Sequence, residues 1–515
     1  MILQNIVIIV DCGTMFIKLL WLGIFMLKDW KLNIIHFFKN KNNFLFIFSA
    51  IIFVLWSVKV ISTRVPFVDE VNAWNIAGNC GFFDLFRVTK HEGHPMLWFL
   101  VLKPFAIHNI GYPYTLFLVN WLFAFGSFIL LWLYSPFNPY LKMIISISMP
   151  FQMYTVYARC YALTMFLLFV ICIIYPKRLK HPVYYAVLIV LLANTSVIGI
   201  IPAFVLGLLF LYEINQAYNN KIYSPKDFIC PFSIMLLGGI FVLSQLTGFV
   251  IPSYADSQYA LNIAFSHFNK YYSFWCRDIT RSLQIVLLVL GVIFFTKDKK
   301  PYIYIISAIT IFLFIALKIY PFDKWHYTFV TVYIISSIWI YLSEHKIETS
   351  LQKIYLTTLA IMTLSTIYYL GPNWMWNGYY MPTYNYIKDN ISDFENSNIF
   401  MFPSCSSIMG IIPSLDKHDI RFYNSHGLSY KDSKAYEEMW NKMNIKFKNV
   451  EKVITNNKRS KSYILVSIAE PYETSNEYFI KASKNYNSSN LEFKLYTTLP
   501  GVVIYKIITA PEKKQ

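Results

Sequence analysis

The run Phe44-Leu-Phe-Ile-Phe-Ser-Ala-Ile-Ile-Phe-Val-Leu-Trp-Ser-Val-Lys-Val-Ile-Ser62 decides the fold. It is apolar and long enough to cross a bilayer as one helix, which takes roughly 20 residues. Lys28, Lys31, Lys39 and Lys41 precede it, and such a cluster stays cytoplasmic by the positive-inside rule. The helix therefore leads outward, into Arg64-Val-Pro-Phe-Val-Asp69-Glu70-Val-Asn-Ala-Trp74-Asn-Ile76-Ala77. A carboxylate pair at the mouth of a membrane helix is expensive to hold near hydrocarbon, so it points to function.

The rest of the chain repeats the pattern. Of 515 residues, 56% are hydrophobic and 19% aromatic, beyond what soluble domains carry. Further spans read at about 113–134, 140–155, 158–175, 183–198, 201–214, 229–250, 281–297, 302–320, 326–343 and 354–371. With 44–62 that makes about 11 transmembrane helices in a polytopic all-α membrane bundle, 44–371. Loops assigned inside carry Lys177-Arg178-Leu-Lys180, Lys221 with Lys226, Lys297-Asp-Lys299-Lys300, and Lys346 with Lys353. These clusters account for most of the excess in this half of a net charge of +17, which therefore sets orientation and calls for no nucleic acid.

Residues 63–112 form a first outer loop. Its segment 95–108 is too short to cross and reads as a juxtamembrane helix, anchored at the interface by Trp98 and Lys103. The spans at 140–155 and 201–214 are short, which suggests a thinned bilayer or a cavity wall. Residues 1–43 are an apolar and basic segment. Residues 1–27 within it lack the charged start and small-residue cleavage site of a signal peptide, and are read as a twelfth helix or an extension.

Composition changes after Gly371-Pro372. Residues 372–515 are polar, with short apolar strands at 398–402, 420–423, 463–468, 491–495 and 502–507 and a helical stretch over 430–449. Strands of this length alternating with helices indicate a small α/β domain, extracytoplasmic by parity. It carries no glycine-rich phosphate loop. The seven cysteines (12, 80, 160, 172, 230, 276 and 405) show no metal-ligand spacing, and nothing argues for a disulfide among Cys80, Cys276 and Cys405.

Four elements, in order, carry a resemblance. They are Asp69-Glu70 with Trp74, Ile76 and Ala77; Gly93-His94-Pro95-Met96-Leu97-Trp98; Tyr157-Ala-Arg159-Cys-Tyr161-Ala-Leu163; and Ala193-Asn194-Thr195-Ser196 through Gly199. Together, over roughly 44–371, they resemble the GT-C superfamily. These are membrane glycosyltransferases that use polyprenyl-phosphate sugars, such as the protein O-mannosyltransferases and the lipid A aminoarabinose transferases. The turn Tyr320-Pro-Phe-Asp-Lys324-Trp-His326 is similar to a degenerate Arg-His element of some bacterial relatives.

The resemblance implies an enzyme that moves a sugar from a polyprenyl-phosphate donor to a glycolipid, glycan or protein acceptor at the outer face of the cytoplasmic membrane. Asp69 would deprotonate or orient the acceptor, with Glu70 beside it. Arg159 would face the leaving phosphate, followed by Lys324 and His326, because the charge released there needs fixed cations. His94, Trp98 and Lys103 are the substrate-binding candidates. The acid that follows the later arginine in several relatives is missing from Arg159-Cys160-Tyr161, so a divalent cation is possible but no ligand set is legible.

Other readings stand beside these. Asp69 and Glu70 can be solvated acids paired with Arg64, His94 can cap a helix beginning at Pro95, and Arg159 can reach lipid headgroups. His91 and Glu92 read as solvated loop residues, and Arg277, Asp278 and Arg281 as an internal salt bridge. For the whole chain, the alternatives are a lipid-linked glycan flippase or transporter, a glycan polymerase, and an inactive scaffold. Transporters match broken helices in two halves, whereas Pro202 and Gly238-Gly239 have no such counterparts.

Overall fold

The structure is a computed structural model. It describes residues 44–247, 274–319, 322, 324–365, 381–402, 407–415, 418–437, 445–457, 459, 461–467, 475–486, 491–500 and 502–509. The expectations for residues 1–43 and for the junction near 371 lie outside these residues.

The chain is mostly helical. Its first part comprises α1 (Phe44–Thr63), α2 (Val68–Asn79), α3 (Phe82–Glu92), α4 (Leu97–Ala106), α5 (Tyr114–Tyr134), α6 (Pro139–Ser146), α7 (Met149–Val156) and α8 (Tyr161–Ile174). It continues through α9 (Pro182–Ala193), α10 (Val197–Asn219), α11 (Pro225–Ser244), α12 (Phe274–Phe294), α13 (Lys300–Lys318), α14 (Lys324–Glu344) and α15 (Ser350–Ser365). Among the described residues, five helices are long and apolar enough to cross a membrane: α1, α5, α10, α11 and Lys300–Leu317 within α13.

Three expectations about the helices need correction. The segment read as 201–214 belongs to a 23-residue helix, α10, which Pro202 does not interrupt. Gly238 likewise lies inside an unbroken α11, where it lets the helix press against Val190 of α9. By contrast, 140–155 is two eight-residue helices, α6 and α7. Pro150 has no N–H to continue a ladder, and Ser148 turns its hydroxyl back onto the Ile145 carbonyl at 2.6 Å. α4, read as an interfacial helix anchored by Trp98 and Lys103, buries Trp98 with Phe99, Leu102 and Ala106.

A buried ion cluster knits the bundle at the end far from Asp69. The Arg178 guanidinium spans both oxygens of Glu213 at 2.6 and 2.7 Å and reaches Glu344 at 2.8 Å. Lys300 adds its ammonium to Glu213 at 2.5 Å. Bidentate geometry and shared partners satisfy charges that would be costly to bury alone. Arg178, expected to set orientation, therefore also ties α10 to α14.

The C-terminal part contains α16 (Met381–Asp389), β1 (Ser397–Phe402), β2 (Ile420–Tyr423), α17 (Phe447–Asn457), β3 (Lys461–Ser467), α18 (Ser475–Asn485), β4 (Leu491–Leu499) and β5 (Val502–Thr509). The strands form one sheet in the order β2-β1-β3-β5-β4, parallel across β2-β1-β3 and antiparallel through β5 and β4. All five strands fall where the sequence placed them. The helix expected over 430–449 does not: a short helix at Lys434–Glu437 precedes α17, and 438–444 lie outside the described residues.

Alternation along β1 explains the sheet's two covered faces. Phe400 and Phe402 join Val450 and Ile454 of α17 and Phe479 of α18, whereas Ile399 and Met401 face the larger core. That larger core includes the first loop. Asn79 donates to the Tyr436 hydroxyl at 3.1 Å, Arg87 to Ser433 at 3.1 Å, and Asn109 to the Pro413 carbonyl at 2.6 Å. The sheet domain and residues 63–112 thus sit together at one end of the bundle.

Candidate functional site

The site grows from the break between α7 and α8. A helix end leaves backbone groups without intrahelical partners, and here three of them are met by side chains. Asn120 of α5 donates to the carbonyls of Tyr154 and Thr155 at 2.8 and 3.0 Å. The Ala158 N–H donates to Glu70 Oε1 at 2.5 Å. The broken segment is therefore a fixed piece of structure.

Glu70 supplies the other half of that fixture. As the third residue of α2 it accepts the Phe67 N–H at 2.6 Å, the carboxylate side of a capping box, and it pairs with Arg64. Its side chain is fully buried. Burial pushes its carboxyl pKa up, while Arg64 and the two N–H donors oppose that push. Glu70 is bound on both oxygens, which fixes its place between α2 and the broken segment. Arg64 pairs with Glu70 alone among the two acids, so the solvated-pair reading fails for Glu70 and finds no ion pair at Asp69.

Asp69 stands on the open side of the same turn and is half-buried. Its Oδ2 accepts from the Tyr157 hydroxyl at 3.2 Å, and its backbone carbonyl accepts from the Arg159 guanidinium at 2.6 Å. Arg159 is 6% exposed, so it does not reach lipid headgroups. Its Nε has no hydrogen-bond partner and no carboxylate among the described residues lies within ion-pair distance, but the nearby Asp69 charge favours the cation. The unpartnered Nε–H leaves a buried donor for an anion.

Two histidines close on the same segment. His94 follows Gly93, whose φ of 68° is a left-handed C-cap for α3. Its Nδ1 lies 3.9 Å from Cys160 Sγ, and its ring meets Tyr161 edge-on at 6.2 Å. Burial, with the charges of Arg159 and His326 nearby, holds the His94 pKa well below its ordinary value. His326, near the start of α14, shares a 2.9 Å hydrogen bond with the Tyr161 hydroxyl. Lys324 opens that helix, but its side chain lies outside the described residues, as do those of Arg277 and Asp278.

The Asn194 turn holds the His94 loop in place. Asn194 accepts the Leu97 N–H at 3.3 Å and, through its side chain, the Gln245 amide at 3.2 Å. Gln245 in turn accepts the Met96 N–H at 2.8 Å. Ser196 caps α10 by accepting the Gly199 N–H at 2.9 Å. A Cβ at Gly199 would meet the Leu192 carbonyl at 2.5 Å, so only glycine fits.

Two substrate-binding candidates have other work. Lys103 places its ammonium on the Ala77 carbonyl at 3.2 Å and on that of Cys80, capping the C-terminal end of α2. Trp98 is 2% exposed, and its indole N–H has no partner. Neither is brought to Asp69 by a recorded contact. The sequence also missed two groups. Glu92, read as solvated, is buried and accepts on both oxygens from Asn72 at 3.1 Å, one turn along α2 from Asp69. Tyr157 and Tyr161 stack at 5.9 Å, with their hydroxyls on Asp69 and His326 respectively.

Among the described residues, Asp69 joins no group of three candidate metal ligands. Among the described residues the one group of three candidate ligands is Asp298, Glu344 and His345. It lies at the far end of α14, some 30 Å along a helix of that length, and Glu344 already serves Arg178. Around Asp69, Glu70 is occupied and Arg159 is cationic, so the residues present do not fit a divalent ion. No protein-family model matches the chain, and no curated protein matches it significantly.

Proposed function

We propose that the chain is a GT-C-type glycosyltransferase that moves a sugar from a polyprenyl-phosphate donor to a cell-envelope glycan, glycolipid or protein acceptor. One observation carries this reading: an aspartate from the first loop and a buried arginine with an unpartnered Nε from a distant helix break meet at one end of the helical bundle. The pairing suits group transfer from a phosphate. Asp69 takes the acceptor proton as the acceptor oxygen forms a bond to the sugar's anomeric carbon. The bond from that carbon to the phosphate oxygen breaks, and the phosphate leaves with its electron pair toward Arg159 and His326.

The topology supports the same reading. Asn194 and Gln245 sit at the near end and Arg178, Glu213 and Glu344 at the far end, as a chain that crosses repeatedly between 178 and 344 would place them. Several of these helices are short or polar, as suits a bundle that encloses a chamber. With the lysine-rich loops cytoplasmic, Asp69 and the sheet domain face the outside of the cytoplasmic membrane. The domain then stands beside the acceptor.

The test is transfer in membranes given radiolabelled polyprenyl-phosphate sugar. Asp69→Asn abolishes product while the protein inserts and melts as the parent does. Ordinary transfer by that variant removes Asp69 as the base. Movement of lipid-linked glycan across the bilayer without bond formation replaces the reading with a flippase.

A further inference from the structure

We propose that Tyr157 is a positioning residue for Asp69, fixing one carboxylate oxygen so that the other is presented to the acceptor. The inference rests on the glycosyl-transfer reading above and adds a residue to it.

Asp69 is gripped twice from the broken segment. Arg159 holds its backbone carbonyl and Tyr157 holds Oδ2. No other hydrogen bond reaches the carboxylate among the described residues, which leaves Oδ1 open on a half-buried side chain. A carboxylate on a rotatable bond would otherwise swing between a productive pose and others. A base must lie within hydrogen-bond reach of the proton it takes, so fixing one oxygen aims the second.

Tyr157 is itself rigid. Its ring stacks on Tyr161 at 13° between planes, packs on Trp325 at 5.1 Å and touches Phe67 at 6.3 Å. Rings from three elements thus set the direction of one hydroxyl. The charged and titratable groups facing this contact are Glu70 on α2, and Arg159 and Tyr161 on the opposing segment. Glu70 is bound by Arg64, and Arg159 uses the Asp69 carbonyl, so neither replaces the Tyr157 bond.

The experiment compares parent protein, Tyr157→Phe and Tyr161→Phe in liposomes, with labelled polyprenyl-phosphate sugar. Tyr157→Phe keeps the ring and its packing. It lowers kcat about ten- to hundredfold, the size of a hydrogen bond to a charged group, and leaves KM in place. Parent-like kcat in Tyr157→Phe, or a fall in kcat/KM carried by KM, overturns the proposal.

A second readout needs no turnover. Infrared spectra of protein with 13C-labelled aspartate, subtracted against Asp69→Asn, report the antisymmetric stretch of the Asp69 carboxylate, whose frequency depends on the hydrogen bonds it accepts. Tyr157→Phe shifts that band and Tyr161→Phe does not; an unshifted band in Tyr157→Phe refutes the contact. If the parent makes no product yet the band moves, the transfer reading fails while the Tyr157–Asp69 contact stands.

Discussion

Arg159 binds Asp69 through the backbone: its guanidinium donates to the Asp69 carbonyl at 2.6 Å, and no ion pair joins the two side chains. The Asp69 charge still favours the Arg159 cation, so the two are coupled through space. What the backbone contact leaves open is Asp69 Oδ1 for a proton and the unpartnered Arg159 Nε–H for an anion.

Arg159→Met then removes the cation but keeps most of the volume. We expect kcat/KM for the polyprenyl-phosphate donor to fall about 100- to 1,000-fold, as when an oxyanion donor is deleted. Arg159→Lys recovers only part, since an ammonium lacks the guanidinium fork. Steady-state transfer in liposomes measures both. Near-parental activity in the methionine variant would falsify the phosphate role.

Glu70 predicts the opposite behaviour. Its carboxylate joins α2 to the broken segment through Phe67 and Ala158 and neutralises Arg64. Glu70→Gln leaves Arg64 buried without its charge partner, a loss of about 3–5 kcal/mol for a broken buried pair. Thermal unfolding in detergent should show a large drop in melting temperature. A variant that melts normally yet lacks activity would make Glu70 a reacting group after all.

Lys103 separates anchoring from substrate binding. Burial lowers its pKa, and its ammonium rests on the last carbonyls of α2. Lys103→Met should cost about 1–2 kcal/mol through the unsatisfied carbonyls. KM for donor and acceptor in the folded fraction should not change. A selective rise in KM would return Lys103 to the substrate.

What the sequence made legible follows from which forces are local. The strands of the C-terminal sheet were readable because alternation and β-branched runs are properties of single segments, as in Ser397–Phe402 and Val502–Thr509. Asp69, Arg159 and His94 were readable as residues out of place near an apolar bundle. Tyr157 and Glu92 were not. A tyrosine among many looks like belt material, and its role depends on where Asp69 arrives from 88 residues away. Lys103 shows a related limit. A lysine near the interface signals an anchor, and only tertiary packing shows that the Cys80 carbonyl receives it. The split of 140–155 into α6 and α7 turned on Ser148 and Pro150, a local signal outweighed by the apolar run around it.

His94 makes the last prediction, and its sign can be worked out. Burial and the neighbouring charges of Arg159 and His326 hold its pKa well below the ordinary 6.5. The folded protein therefore keeps the ring neutral at pH values where the unfolded chain takes up a proton. Above about 6.5 both states are neutral and His94 contributes no pH dependence. As pH falls below that, proton uptake by the unfolded chain draws the equilibrium toward unfolding, and stability is lost until the folded-state value is reached. Melting temperatures measured between about pH 5 and 8 should decline on the acid side, and His94→Gln should flatten that decline. An acid decline that persists unchanged in His94→Gln would assign it to another group and leave His94 without a titrating role.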